Sequence, residues 1–359
     1  FKRELLRNVG FVETLSTQFR YEDKRFVEMT NEQIDLFGHF SSNKNILING
    51  YAGTGKTLVA IAAAQEILNE DKTVLFLCYN RTLANKVRYK FDKYDDRINV
   101  TTFHSLARQT IDNAENDWWA SNFKKDDEFW SLKVPLKLDS LVNDNIKKYD
   151  TIIIDEGQDF KELWFETIFR MAKKHGQKII FSDKMQNIFE RDGTIPDQTS
   201  FFKIDLKHNC RNTKKITAAL SRTIGENIDS HPNSPEGEIV SEKIFQSKDE
   251  LLNTLNSEIM DLIKNHNIKP EQLLLMPCSK LEESSIYKIK KIGKYDVKPL
   301  GRSGRLNKNK IHVASIRTFK GLEIEVLFII DAHHNDDDEK ILYTQISRGK
   351  NKVYAYMIK

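Results

Sequence analysis

Cysteine is scarce: Cys78, Cys210 and Cys278 are the three in 359 residues, and they lie far apart. No pair has the short spacing of a structural zinc site or a disulfide framework, and the usage suits a reducing compartment such as the cytoplasm. Long apolar runs are missing too. None approaches the roughly 20 residues needed to span a bilayer, and no secretory leader is visible. No internal repeat and no low-complexity tract stands out. Charge of one sign is also lacking, with 56 Lys+Arg against 52 Asp+Glu and a net +4. That balance neither demands nor forbids a nucleic-acid partner, because patches matter more than totals. Hydrophobic content of 39% and charged content of 30% fit a globular chain with room for two or three domains. The first residue is Phe1 rather than Met, so a piece of a longer protein is expected.

What is present is a complete phosphate-binding loop, Gly-Tyr-Ala-Gly-Thr-Gly-Lys-Thr at 50–57. A short apolar run at 45–49 precedes it and a helix-forming run at 58–64 follows. Strand, glycine loop, helix is the context the motif requires. Gly50, Gly53 and Gly55 let the backbone turn N–H groups inward, with Tyr51, Ala52 and Thr54 completing the loop. The following helix adds the positive end of its dipole. Lys56 is placed to reach the β- and γ-phosphates, and the Thr57 hydroxyl to sit on Mg²⁺.

Short β-rich runs alternate with helical ones. Strands are predicted at 73–78, 149–154 and 178–181, with a helix at 163–174. The second half continues with a strand at 238–240, a helix at 249–265, and strands at 273–276, 311–315, 326–330 and 353–356. This is an α/β chain with parallel sheets flanked by helices. A stretch at about 107–148 breaks the alternation and reads as a small helical insertion. Its Trp118, Trp119 and Trp130 could stack on bases, but the composition favours a mini-core.

A second half-site follows. Ile-Ile-Ile-Asp-Glu-Gly-Gln-Asp at 152–159 puts Asp155 and Glu156 at the end of a buried strand, where open α/β sheets gather ligands. Asp155 is placed to hold Mg²⁺ and Glu156 to act as general base on an attacking water.

Asp-Glu-Gly-Gln-Asp-Phe at 155–160 resembles motif II of superfamily-1 helicases of the UvrD/Rep type. The other motifs follow in that family's order. Met-Thr-Asn-Glu-Gln at 29–33 resembles the Q motif, Leu-Cys-Tyr-Asn-Arg at 77–81 motif Ia, and Thr-Thr-Phe-His-Ser-Leu at 101–106 motif Ib. The run from Phe181 to Phe189 resembles motif III, and Asn-Cys-Arg-Asn-Thr at 209–213 motif IV. The run from Ser315 to Glu323 resembles motif V, and that from Leu342 to Gly349 motif VI. The wording is closest to the helicase halves of bacterial proteins with an upstream nuclease-related domain.

The resemblance implies two RecA-like lobes, at 29–199 and 200–359, preceded by a segment 1–28 read as the end of an upstream domain. It implies that ATP is hydrolysed in the cleft between them. Gln33 would read adenine, Gln186 would sense the γ-phosphate, Arg211 and Arg348 would reach it from the far lobe, and Glu323 would contact the ribose. Single-stranded DNA would cross the opposite side, beside Tyr79, Thr102, His104, Phe189 and Thr318, with RNA not excluded. The basic loop at 301–310 reads equally as a backbone contact and as a solvated loop.

The chain departs from the family at three points. Cys210 stands where a tyrosine stacks on adenine, so looser base selectivity is expected. No tryptophan follows motif III, and the large insertion of the second lobe is missing. The reading is an ATP-dependent translocase or helicase, 3′→5′ by analogy. The alternative is a nucleic-acid-gated ATPase switch within a nuclease or defence assembly, without unwinding.

Overall fold

A computed structural model of the chain describes residues 14–39, 41–115, 117–124, 126–142, 146–186, 195, 198–301, 303–332 and 339–359. Two open sheets organise it. The first contains β1 (Asn45–Gly50), β2 (Val74–Cys78), β3 (Ile98–Thr102), β4 (Tyr149–Ile154), β5 (Ala172–Ser182) and β6 (Phe202–Leu206), in the order β3-β2-β4-β5-β1-β6 with every pairing parallel.

Its central strands are apolar on both faces because helices cover both, while the edge strand β6 is largely exposed. Ile46 and Ile48 pack with Val59, Ala63 and Leu83 from the helices Lys56–Asn69 and Arg81–Arg88. Leu47, one residue out of phase, packs on the other side with Phe103, Leu106, Leu138 and Trp164. That alternation is the two-residue period of a strand read in three dimensions.

A two-stranded ladder, β7 (His208–Asn209) with β8 (Asp229–Ser230), leads into the second lobe. Its sheet holds β9 (Ser241–Phe245), β10 (Leu273–Pro277), β11 (Lys291–Ile292), β12 (Tyr295–Pro299), β13 (Lys310–Val313), β14 (Ile324–Ile330) and β15 (Gly349–Ile358). The order is β11-β12-β13-β10-β14-β15-β9, parallel except for the β11–β12 hairpin. The helix Lys248–Lys264 buries Leu251, Leu255, Ile259 and Leu262 on this sheet, whereas the periodicity points to Leu252, Leu255, Ile259, Leu262 and Ile263; Leu252 and Ile263 are only partly buried against the same core. These are two RecA-like lobes, each a parallel sheet between helices. One apolar cluster joins them, with Ile48 and Leu83 of the first lobe and Leu327, Tyr343 and Ile346 of the second.

Four details differ from the sequence reading. The first sheet continues through β6 to Leu206, past the expected boundary at 199. The predicted strand at 238–240 is irregular, and pairing starts only at Ser241, after the left-handed Gly237 (φ 66°). The predicted helix at 163–174 stops at Phe169, because Ala172 begins β5 and pairs with Tyr149. No break divides residues 28 and 29, since one helix, Leu15–Gly38, runs straight through. Leu15 and Phe19 at its start belong to the second lobe's core, while Phe37 at its end belongs to the cluster under β1. Asn351 donates to Glu22 at 2.6 Å and Lys350 pairs with Asp23 at 2.5 Å, fixing its first half to the second lobe.

The three insertion tryptophans gather around the fully buried Phe129, at ring-centre distances of 5.7 Å for Trp118, 5.8 Å for Trp119 and 5.2 Å for Trp130. The mini-core reading describes them.

Candidate functional site

The glycine loop leaves the end of β1 and enters the helix Lys56–Asn69. Gly53 (φ 79°) and Gly55 (φ 83°) are left-handed, a conformation that costs other residues about 1–2 kcal/mol. Gly53 has a second reason to lack a side chain: an added Cβ would lie 2.4 Å from Asn212 Oδ1. The Lys56 ammonium is folded back, donating to Gly50 O at 2.7 Å and Tyr51 O at 2.9 Å and pairing with Asp183 at 3.4 Å.

Across the sheet, β4 ends in the two carboxylates. The Thr57 hydroxyl donates to Asp155 Oδ2 at 2.7 Å, so the two expected metal-site groups already touch. Glu156 is buried and left-handed (φ 58°), a conformation that non-glycine residues keep only where the surroundings hold them there. Gln158 Nε2 donates to its carboxylate at 2.5 Å. Burial, and then the neighbouring Glu156, push Asp155 above the usual carboxylate range. Burial acts the same way on Glu156, but Lys320, Lys56 and Arg348 outweigh it and hold Glu156 below its ordinary value. Glu156 is therefore ionised at neutral pH, the state that its expected role as base requires. Among the described residues no three His, Cys, Asp or Glu side chains converge on one point. A Thr57–Asp155 pair suits a Mg²⁺ that takes most of its ligands from phosphate and water.

The second lobe completes the site. Arg348 follows the helix Glu339–Ile346, is 4% exposed, and donates from Nη2 to Gln186 Oε1 at 2.9 Å. Gln186 Nε2 donates in turn to Asp183 Oδ2 at 2.8 Å, and Asp183 pairs with Lys56. A chain of polar contacts thus runs from Arg348 to the loop lysine. Arg211 and Glu323, given separate roles above, pair with each other at 2.8 Å, and Arg211 helps hold Glu323 ionised against burial.

Further grips on the loop were not foreseen. Tyr343, fully buried, accepts the Ala52 N–H at 2.7 Å. Asn209 Nδ2 donates to Ala52 O at 3.1 Å, and Cys210 N–H to Gly53 O at 2.9 Å. Tyr343, Asn209 and Asp183 stand inside the motif strings, so the signal was present. Their residue types alone do not separate a loop anchor from a surface polar group. Lys320 and Asp159, in motifs V and II, form an ion pair at 2.6 Å between two fully buried side chains.

Gln33 lies beside the loop. Its Nε2 donates to His208 O at 3.1 Å, while its Oε1 is buried with no hydrogen-bond partner among the described residues. That oxygen is 2.8 Å from where a Cβ on Gly55 would be. An orphaned acceptor at the loop fits a base that presents an amino N–H, as adenine does. Cys210 is buried against Phe26 and Met29, so its thiol offers no stacking face.

The expected strand contacts fare unevenly. Tyr79 is half-buried, with Lys320 Nζ 6.0 Å from its ring centre. Thr102 is buried and caps the helix Phe103–Ala114, accepting from Ser105 N–H at 3.3 Å. His104 packs edge-on against Trp130 at 5.3 Å and Trp164 at 4.8 Å, with Nε2 3.3 Å from Trp130 O. Both therefore carry structural roles rather than open phosphate donors. Thr318 lies in the cap of the short helix Ile316–Phe319, its hydroxyl 3.2 Å from Ser315 Oγ. Phe189 lies outside the described residues. In the basic loop, Arg305 sits 4.1 Å over the Tyr89 ring of the first lobe.

Residues 43–266 match the family model of the Schlafen group 3, DNA/RNA helicase domain. The chain belongs to that family. The helicase reading of the eight motifs agrees with this. No curated protein matches the chain. Among solved structures, it is similar to the PRRSV helicase at 9% identity and TM-score 0.43, over 87% of this chain and 52% of that one. It is also similar to the arterivirus nonstructural protein 10 helicase in complex with DNA, at 8% identity and TM-score 0.42, over 88% and 61%. The chain thus spans about half to three fifths of those proteins. Among the described residues no helix is long and apolar enough to cross a membrane.

Proposed function

We propose that this helicase domain is an ATP-driven motor on single-stranded DNA, hydrolysing ATP between its two lobes. The observation that carries the reading is Arg348 of the second lobe, buried on Gln186 within electrostatic reach of Glu156 and Asp183 of the first, with Asp183 in turn paired to Lys56. An arginine buried there at the cost of its own desolvation makes sense if a triphosphate terminus is to arrive between it and Lys56. The roles follow from position. The loop backbone and Lys56 bind the phosphates, and Gln33 Oε1 accepts from the adenine amino group. Glu156 takes the proton of the attacking water. Arg348 stabilises charge on the γ-phosphoryl oxygens, and Gln186 links their presence to lobe closure. Thr57 and Asp155 would hold Mg²⁺, whose chemistry is to neutralise the β- and γ-phosphate oxygens. Arg211 joins the site if nucleotide draws it from Glu323.

The strand is proposed to lie beside Tyr79 and Thr318 on the far side of the lobe junction, gripped without sequence readout. The likeness of the motifs to UvrD/Rep enzymes supports 3′→5′ movement, and the sparse, widely spaced cysteines support a location in the cytoplasm. An upstream or partner nuclease is part of the same proposal. The test is steady-state ATP hydrolysis with and without single-stranded DNA or RNA. Strong stimulation supports the motor, and no stimulation by either polymer overturns it. A forked duplex then separates unwinding from a gated ATPase switch.

A further inference from the structure

The Lys56 ammonium rests on three acceptors, Gly50 O at 2.7 Å, Tyr51 O at 2.9 Å and Asp183 Oδ2 at 3.4 Å. All three residues also wall a cavity of about 330 Å³ behind the start of the loop. Met185 and Leu206 add apolar surface to it. Liquid water takes about 30 Å³ per molecule, so the space holds a phosphate with several waters. The exposed Glu226 of the second lobe forms part of the rim. It follows the left-handed Gly225 (φ 65°) that ends the helix Lys214–Ile224. The Tyr51 hydroxyl donates to Glu226 Oε2 at 2.5 Å. That hydrogen bond, with burial, pushes the Tyr51 phenol up to about 12, so it remains a donor at neutral pH.

Hydrolysis of ATP by water yields ADP and inorganic phosphate, and the phosphate would form between Lys56 and Arg348 with ADP still in the loop. Gln33 and Gly55 mark the side that ADP occupies, at the other end of the loop from Gly50. The way in is then blocked by the second product. On the Gly50 side, the Lys56–Asp183 pair is the partition between the γ-phosphate position and the cavity. That inner wall is close to neutral because the two charges offset each other. The rim is not, since it carries Asp205 and Glu226 against Lys207. A phosphate that reaches the rim meets net negative charge, which favours departure over return.

We propose that this cavity is the exit route for inorganic phosphate and that the Tyr51–Glu226 hydrogen bond is its gate. The inference rests on the hydrolytic reading above and assigns product release to a named pair. The two residues belong to different lobes, 175 positions apart, so a lobe movement that breaks their contact opens the route.

The test compares the wild-type chain with Glu226→Ala, which removes the acceptor, and Glu226→Trp, which fills the rim beside Tyr51. Glu226 is exposed, and thermal midpoints report whether both variants fold. ATP cleavage is followed by acid quench, and phosphate appearance by a fluorescent phosphate-binding protein. Affinity for a fluorescent ADP analogue is measured alongside. The lag of phosphate release behind cleavage is expected to lengthen about threefold or more in Glu226→Trp and to shorten in Glu226→Ala, with cleavage rate and ADP affinity within about twofold of wild type. A folded Glu226→Trp variant with the wild-type lag overturns the inference. So does a change in ADP affinity as large as the change in lag, which would make the pair a general clasp between the lobes. A wild-type chain that cleaves no ATP overturns the hydrolytic reading first and this inference with it.

Discussion

Arg348 and Gln186 lie on different lobes, 162 residues apart, and meet at 2.9 Å with both side chains buried. The contact puts a guanidinium within the same polar chain as Lys56 and Asp183. Arg348→Ala is therefore expected to lower ATP turnover by about 10³-fold or more while leaving nucleotide binding largely intact. Turnover and binding of a fluorescent ATP analogue check this. Turnover within tenfold of wild type would remove Arg348 from the chemistry.

Glu156→Gln keeps the side-chain shape and the neighbouring Gln158 contact but cannot take a proton. Turnover should fall by about 10²–10⁴-fold with ATP still bound. A single-turnover experiment reads the chemical step directly. If the rate is unchanged, another group activates the water.

Tyr343→Phe deletes the acceptor of the Ala52 N–H and leaves a buried donor without that partner. A loss of about 1–3 kcal/mol of stability is expected, together with a raised KM for ATP because the loop is less fixed. Urea unfolding and steady-state kinetics measure the two effects. Unaltered stability would show that the loop finds another acceptor.

Asp150 sets an acid limit on the first lobe. Burial alone would raise its pKa, but Lys173 at 2.8 Å and the Thr73 N–H and hydroxyl at 2.9 and 2.7 Å bring it down to about 2. A depressed carboxylate stabilises the fold above its ordinary pKa near 4 and loses that contribution as pH falls toward 2. Asp150→Asn should thus cost about 1–2 kcal/mol at pH 7, after allowance for partial exposure, and progressively less between pH 4 and pH 2.5. Denaturant midpoints across that range decide it. A difference independent of pH would assign the cost to packing.

The sequence carried the lobes and the hydrolytic side of the site because those depend on local patterns. Buried runs such as Ile152–Ile153–Ile154 mark strands, and the loop and the Asp155–Glu156 pair sit where strands end. It did not carry what joins distant segments. Tyr343 and Ala52 are 291 positions apart, and nothing local in Tyr343 points to a loop amide. Thr102 and His104 show a different failure: a threonine before a helix suits a phosphate donor and an N-cap equally, and only the fold shows it capping. The pairing of Arg211 with Glu323 was illegible because each was assigned by its own motif.

The helix Leu15–Gly38 gives the cleft an unexpected gearing. Its start is rooted among Leu251, Leu255 and Tyr356 of the second lobe, and Gln33 rides near its other end. From Phe19 to Gln33 is a lever of about 21 Å at 1.5 Å per residue. Rotating the second lobe by about 10° would swing Gln33 by roughly 4 Å if the helix stays rigid, keeps its root and lets its Phe37 end slide within the cluster under β1. Opening the cleft would then pull the Gln33 amide, the proposed adenine contact, away from the glycine loop in the same stroke that parts Arg348 from Gln186. Base and terminal phosphate would be released by one motion, which makes product escape a property of a helix that touches neither reacting atom.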